Sequence, residues 1–321
     1  MTYKIEIQPA NVCFQSKSNI LDDALLESVH LEHSCKTGDC GMCTAEVISG
    51  EVQHEDGSVI SSGEILTCQC KALSDVVLNA KYYPELANIS IQTVPCKVSN
   101  VEYVTDDIIS LSFRFPPATK FEYLSGQYVD LSFQGVKRSY SIANASNALK
   151  EIELYIRKVP EGKMSNLLFG SVINNKLMRM EGPKGTFFVR DGNKPLIFIA
   201  TGTGISSIKA MVESLINVND PRIIHIYWGM RYQSEIFCKE LISYSEHYPQ
   251  IHFTSVLSRE FTDKSKHGYV QDCVLDDFKS LADVDVYACG SLEMITEAKA
   301  LFIKNELSSE AFYFDAFTPA K

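Results

Sequence analysis

The chain is 321 residues long, 45% hydrophobic and 22% charged, with a net charge of −10 at pH 7. That length suits about two domains of ~150 residues, and 17 Phe with 15 Tyr supply enough core to exclude disorder as the main theme. No apolar run approaches the ~18 residues of a membrane span, and 30 Lys+Arg against 40 Asp+Glu argue against nucleic acid as a partner. The acidity is concentrated: residues 1–94 hold five basic and thirteen acidic groups, a balance of −8, against −2 for the remainder. This fits a separate acidic module with its own electrostatic partner, or else a solubilising surface. Residues 1–20 lack the basic start and apolar stretch of a secretory signal, so a cytoplasmic chain with reduced thiols is expected.

The first third opens on alternating YKIEIQP, which reads as a strand, and ILDDALLESV, which reads as an amphipathic helix. Cys35, Cys40 and Cys43 follow in SCKTGDCGMC, then strand-like TAEVISGEV and the string LTCQC. Their Cys-x4-Cys-x2-Cys spacing is the plant-type pattern for a [2Fe–2S] cluster, which requires a distant fourth thiolate. Such a loop must wrap one edge of the cluster and aim backbone N–H groups at sulfur, and Gly38 and Gly41 permit that approach. Zinc would prefer two short Cys hooks, and one is present. Cys68 and Cys70 both lie in reach as the fourth ligand, because alternate strand residues face the same way. Cys68 is preferred since it follows the anchoring Ile65-Leu66-Thr67. Cys13, Cys70, Cys96, Cys238, Cys273 and Cys289 are scattered and expected as small buried hydrophobes. The module as a whole resembles plant-type ferredoxins, which end with L-x-C where Cys68 stands.

The middle third carries short alternating segments, CKVSNVEYV, IISLSFRF, GQYVDLSF, KRSYSIAN and EIELYIRKV, separated by Gly, Pro, Asn and Ser. That pattern predicts an antiparallel barrel. Within it stand Arg138-Ser139-Tyr140-Ser141 and, further on, Gly162-Lys163-Met164-Ser165, which open the helical stretch SNLLFGSV. A helix N-terminus with free N–H groups is a site for a pyrophosphate, and the combination points to FAD.

The last third alternates strands and helices. PLIFIATGTG reads as a buried strand entering a Gly-rich turn, followed by the helix ISSIKAMVESLINV. Gly202-Thr203-Gly204 suits the close approach of a dinucleotide phosphate, while Ser207 replaces the third glycine of the G-x-G-x-x-G fingerprint. RIIHIYWG, IHFTSVLS and DVYACG continue the alternation and predict a parallel sheet with ligands beyond the carboxyl ends of its strands. Gly229-Met230-Arg231 and Cys289-Gly290-Ser291 fall at such ends.

The order of ferredoxin loop, R-x-Y-S, G-x-x-S, Gly182-Pro183-Lys184-Gly185-Thr186-Phe187, G-T-G and C-G resembles the three-domain iron–sulfur flavoreductases of the ferredoxin–NADP reductase superfamily over essentially the whole chain. The resemblance implies a β-grasp ferredoxin domain at 1–92, an antiparallel β-barrel FAD domain at 93–192 and a doubly wound α/β NAD(P)H domain at 193–321. It implies that Arg138 holds the FAD pyrophosphate, Tyr140 packs on the isoalloxazine and Ser141 hydrogen-bonds flavin N5. Ile156 and Lys158 are then expected beside FAD, with Gly162, Lys163, Met164 and Ser165 completing its phosphate site. On the nicotinamide side it implies Gly202, Thr203, Gly204, Gly229, Cys289 and Gly290, with Arg231 at the adenosine end. The closing FYFDAFTPA would put Asp315 near the flavin edge and Phe317 just beyond. Ser141, Cys289 and Asp315 are the expected reacting-centre residues. Two departures stand out. The family's G-G-T-G-[IF]-A-P is here Thr201-Gly202-Thr203-Gly204-Ile205-Ser206-Ser207, and its C-G-P is Cys289-Gly290-Ser291.

A narrower resemblance rests on YYPELANI, VPCKVSNVEYV, RSYSIANA, IHIYWGM, VYACGSLEMIT and FDAFTPAK. These strings resemble the reductases of 3,6-dideoxyhexose and O-antigen sugar biosynthesis. The implied role is to pass electrons from NADH, through FAD and [2Fe–2S], to a pyridoxamine-phosphate-dependent dehydrase that deoxygenates C-3 of a CDP-4-keto-6-deoxyhexose. NADPH stands as the alternative donor. The competing readings are the reductase of an aromatic-ring or phenol oxygenase, and a non-enzymatic electron carrier or redox sensor.

Overall fold

In the alternating segment Tyr3–Gln8, Ile5 and Ile7 face inward and are fully buried, while Lys4 and Glu6 face out. In the computed structural model, which describes residues 1–146, 150–170 and 173–317, this strand sits inside a five-stranded mixed sheet. It pairs antiparallel with Val12–Ser16 and parallel with Val76–Asn79; Thr44–Ser49 and Gly63–Leu66 complete the sheet. The helix Ile20–Leu26 packs on it and is capped by Asn19, whose side chain accepts from Asp22 N. The helix ends short of the expected Val29 because Ser28 takes φ +60° and turns the chain out. A small sheet of Val52–His54, Val59–Ile60 and Cys70–Ala72 lies beside it. This first compact unit comprises Met1–Ile91 with Lys184–Thr186. Cys13 departs from expectation: it lies on the outward face of Val12–Ser16 and is exposed.

The second unit comprises Gln92–Pro183 and Phe187–Lys321. Its first lobe is a six-stranded antiparallel sheet in the order Val136–Ser141, Tyr128–Phe133, Leu177–Lys184, Gln92–Tyr103, Ile108–Arg114, Glu151–Arg157. A bridge from Ile142 to Leu154 ties the two edges, curling the sheet into a barrel. The strand Leu177–Lys184 adds to the five segments expected from sequence. Its apolar alternation rests on methionines, with Met178 and Met180 buried and Leu177 exposed. The helix Lys163–Phe169 packs Met164 and Leu168 into the barrel core.

The second lobe is a parallel six-stranded sheet in the order Lys266–His267, Ile251–Leu257, Ile224–Met230, Leu196–Thr201, Asp285–Ser291, Phe312–Phe317. The run Leu196–Ala200 is fully buried, as a strand covered on both faces must be. From Leu196–Thr201 the chain works outward through Ile224–Met230 to one edge, then returns to lay Asp285–Ser291 on the other side. The strand order therefore reverses beside Leu196–Thr201, and the crevice at the carboxyl ends there is where doubly wound sheets bind ligands. The described residues contain no helix long and apolar enough to cross a membrane.

Candidate functional site

In the first unit the thiols come in pairs. Cys43 and Cys68 are buried with their sulfurs 3.1 Å apart, the former at the end of the loop and the latter in the turn Thr67–Gln69. Cys35 and Cys40 are half-buried, and the backbone N–H groups of Thr37 and Cys40 each donate to Cys35 Sγ at 3.4 Å. Gly38 and Gly41 hold φ of +83° and +70°, left-handed conformations that suit glycine in this tight loop. Among the described residues no three His, Cys, Asp or Glu gather tightly enough for a single metal ion. Two thiol pairs with amides turned on sulfur suit a two-iron cluster. The hydrogen bond from Cys43 holds the Cys68 thiol down to about 6 and pushes Cys43 up. Burial pushes Cys40 up to about 11. Burial also opposes ionisation of Cys35, but the bonds from Thr37 and Cys40 outweigh it and lower its pKa. Cys70 is packed in the core of this unit, and burial pushes its thiol up to about 11. The turn carrying Cys68 is anchored from the helix, since Asn19 Nδ2 donates to Cys68 O at 2.7 Å.

In the barrel lobe, Arg138 and Tyr140 share one face of Val136–Ser141, while Ser139 faces away and donates to Asp130 at 2.6 Å. Arg138 is half-buried and donates to Lys137 O at 2.7 Å, and burial raises the Tyr140 phenol to about 12. Ser141 is 7% exposed. Gly162 caps Lys163–Phe169, and a Cβ there would sit 2.6 Å from Ser165 Oγ, so only glycine closes this turn. Ser165 Oγ is committed inside the loop, donating to Val159 O at 3.0 Å and accepting from Val159 N at 3.2 Å. Ile156 and Met164 bury their side chains in the barrel core. Lys158 is exposed beyond the strand, its Nζ 5.9 Å from the Phe169 ring centre. A helix start with open N–H groups beside an arginine and an aromatic ring fits a flavin dinucleotide.

In the α/β lobe the crevice gathers the remaining residues. Gly202–Gly204 forms a tight turn that runs straight into the helix Ile205–Asn217 with no side chain capping its N–H groups. Trp228 Nε1 donates to Gly202 O at 2.9 Å from a fully buried ring. Gly229 pairs with Thr201 across the sheet, and a Cβ on it would lie 3.0 Å from Val270 and 3.2 Å from Thr201. Cys289 is fully buried, 3.8 Å from the hydroxyl of Ser207, the residue in place of the third glycine. Burial and the neighbouring Asp315 raise the Cys289 thiol well above its usual value, so it is a neutral wall. Asp315 and Phe317 pair with Cys289 and Ser291 on the edge strand, Asp315 buried and Phe317 partly exposed; residues 318–321 of the closing segment lie outside the described residues. Arg231 is exposed at the far end of the crevice, its N–H taken by Glu235 at 2.9 Å.

One residue escaped the sequence reading. Arg157, at the end of Glu151–Arg157, reaches the Gly202–Gly204 turn: a Cβ on Gly202 would lie 3.9 Å from its guanidinium. Its Nε is 3.3 Å from Asp107, yet Nε and Nη2 are buried without a hydrogen bond. Buried donors without a hydrogen bond, on a partly exposed guanidinium beside a Gly-rich turn, suit an anionic group.

Three family models match the chain: a 2Fe-2S iron–sulfur cluster binding domain over residues 5–73, an oxidoreductase FAD-binding domain over 95–189 and an oxidoreductase NAD-binding domain over 198–300. The chain is 45% identical, over its full length and that of the relative, to the CDP-6-deoxy-L-threo-D-glycero-4-hexulose-3-dehydrase reductase of Yersinia pseudotuberculosis. It is also 45% identical to Protein RfbI of Salmonella typhimurium, covering 99% of this chain and 97% of the other. Among solved structures, the Amycolatopsis cytochrome P450 reductase GcoB superposes with a TM-score of 0.82 at 23% identity, covering 99% of this chain and all of that one.

Proposed function

We propose, proceeding from the fact that this chain belongs to the family of CDP-6-deoxy-L-threo-D-glycero-4-hexulose-3-dehydrase reductases, that it reduces the 3-dehydrase of a CDP-4-keto-6-deoxyhexose. It is an NAD(P)H-dependent iron–sulfur flavoprotein oxidoreductase with [2Fe–2S], FAD and nicotinamide domains in that order. The observation that carries the specific reading is 45% identity to the Yersinia reductase with both chains fully covered. The partner is a pyridoxamine-phosphate-dependent dehydrase that holds the sugar, so no sugar site is required of this chain.

Bound FAD would supply the conversion between two-electron chemistry at the nicotinamide and one-electron chemistry at the iron–sulfur centre. The chain's residues align and shield. Arg138 and the helix start at Gly162–Ser165 would hold the FAD pyrophosphate, Tyr140 would cover the ring and Ser141 would offer its hydroxyl to N5. Gly202–Gly204 would take the nicotinamide dinucleotide's phosphates on backbone N–H groups. Neutral Cys289 would back the nicotinamide, and Asp315 would stand at the flavin edge. Cys35, Cys40, Cys43 and Cys68 would ligate the cluster. NADH is the proposed donor. The −8 balance of residues 1–94 calls for a basic patch on the dehydrase.

The test is anaerobic NADH consumption by the purified protein with the dehydrase and a CDP-4-keto-6-deoxyhexose. Sugar-dependent turnover to a 3-deoxy product is expected, slowing as ionic strength rises. Flavin bleaching by NADH with no reduction of sugar would overturn the partner while leaving the electron chain standing.

A further inference from the structure

The two turns that face the nucleotide crevice are in backbone contact. Gly204 lies so close to the strand Asp285–Ser291 that a Cβ on it would sit 2.3 Å from Cys289 O. Gly290 lies against the end of Leu196–Thr201, where a Cβ would sit 2.2 Å from Thr201 Oγ1 and 3.2 Å from Thr201 N. Ser291 N then donates to Thr201 Oγ1 at 3.4 Å. Ser291 also starts the next helix, its own Oγ accepting from Met294 N at 3.3 Å, with φ −65° and ψ 143°. Thr201 thus fills the space that Gly290 leaves open and gives the Ser291 N–H its acceptor.

We propose that Thr201 is a positioning residue for nicotinamide binding: its hydroxyl, holding the Ser291 N–H, fixes the Cys289-Gly290-Ser291 turn against the Gly202-Thr203-Gly204 turn. The inference rests on the reading that these turns hold the nicotinamide dinucleotide. Two residues that depart from the family pattern, Thr201 and Ser291, meet in this bond. A proline at 291 would offer no N–H for residue 201 to hold; serine has the N–H, and threonine at 201 accepts it. The φ of Ser291 is one that proline adopts, so Ser291→Pro removes the donor while keeping the backbone path.

The test uses the holoenzyme with Thr201→Val, Thr201→Ser, Ser291→Pro, Ser291→Ala and the double variant Thr201→Val/Ser291→Pro. Two quantities are read: the calorimetric Kd for NAD+ and the stopped-flow rate of flavin bleaching by NADH. Neither involves the dehydrase. Bleaching of the unaltered protein by NADH tests the underlying reading by itself. Thr201→Val and Ser291→Pro are each expected to weaken NAD+ binding or slow bleaching about 3- to 10-fold, the scale of one hydrogen bond. Thr201→Ser keeps the hydroxyl and is expected to stay near the parent. Ser291→Ala keeps the N–H, so it is expected to lower thermal stability through the lost cap without the nucleotide defect. The double variant is expected to be no worse than the weaker single, because both break the same bond. Additive losses in the double variant, or Thr201→Val indistinguishable from Thr201→Ser, would overturn the proposal. Should Ser291→Pro not fold, the comparison of Val with Ser at 201 decides alone.

Discussion

The indole N–H of Trp228 donates to the carbonyl of Gly202 at 2.9 Å, so the chain's single tryptophan holds the turn proposed for the dinucleotide phosphate. The ring is fully buried and meets Phe237 edge-on with centroids 5.0 Å apart. Trp228→Phe keeps an aromatic ring against Phe237 and removes the donor that holds Gly202 O. Binding of NAD+ should weaken by about 1 kcal/mol, roughly fivefold, with flavin content unchanged. Calorimetric titration of the holoenzyme checks this, and an unaltered Kd would count against a role for the bond.

Lys209 joins the two lobes of the second unit. It lies on the helix Ile205–Asn217 of the α/β lobe, 3.0 Å from Glu153 of the barrel and 2.7 Å from Glu213, and donates to Ala143 O at 3.0 Å. Ser110 and Tyr244 add hydrogen bonds to the two carboxylates. Burial works against the ammonium, but the pair of carboxylates prevails and raises its pKa. Lys209→Met leaves two part-buried carboxylates without their cation and should cost about 3 kcal/mol of stability. Adding Glu153→Gln and Glu213→Gln should recover part of that loss. Urea unfolding midpoints measure both.

Asp23 plays a comparable part in the first unit. Its carboxylate is 4% exposed and accepts from Ser16 Oγ, Lys17 N, Ser18 N and Ser18 Oγ at 2.7–2.9 Å. Burial alone would raise its pKa, and the donors outweigh burial and lower it. The contribution to stability is therefore full above the unfolded value of ~3.9 and is lost as pH falls through the lower folded value. Asp23→Asn turns an amide N–H toward donors and should lower stability by about 2 kcal/mol at pH 7. The gap between variant and parent melting temperatures should narrow as the pH is lowered toward the carboxylate range.

What could be read from the sequence was what is local. The buried run Leu196–Thr201, the alternation in Tyr3–Gln8 and the cysteine spacing each state their structure within a few residues. The strand Leu177–Lys184 was less legible, because its inward positions are Met178, Met180 and Gly182 rather than β-branched residues. Cysteine as a residue type points to a core, while Cys13 lies on the outward face of its strand, between the inward positions of Val12–Ser16. Lys209 and Arg157 could not be found from pattern. The meaning of each depends on partners from another lobe or turn, Glu153 for the one and Gly202 for the other.

Arg157 tests that last kind of residue. With Nε and Nη2 buried and unbonded beside Gly202, it should contribute to nucleotide affinity through a charge-assisted bond of about 1.5 kcal/mol or more. Arg157→Gln should raise the KM for NADH about tenfold with ferricyanide as acceptor, and Arg157→Lys should recover part of the loss. A KM unchanged in both would leave the guanidinium a purely structural partner of Asp107.

The choice of fourth cluster ligand turns on neighbours. Cys68 lies 3.1 Å from Cys43 and occupies a turn tied to the helix cap by Asn19. Cys70 pairs in register with His54 on the strand beyond and is enclosed by the apolar core. Cys68 thus stands beside another thiol of the cluster loop, while Cys70 is packed among apolar side chains. Cys68→Ser should therefore abolish the visible absorption of the [2Fe–2S] centre and one-electron output, and Cys35→Ser or Cys40→Ser should do the same. All three should still bleach flavin with NADH, because that step belongs to the second unit. Cys70→Ser should keep the cluster spectrum and lose only stability. Iron content, absorption and cytochrome c reduction read these outcomes together. A cluster that survives Cys68→Ser and vanishes with Cys70→Ser would reverse the assignment.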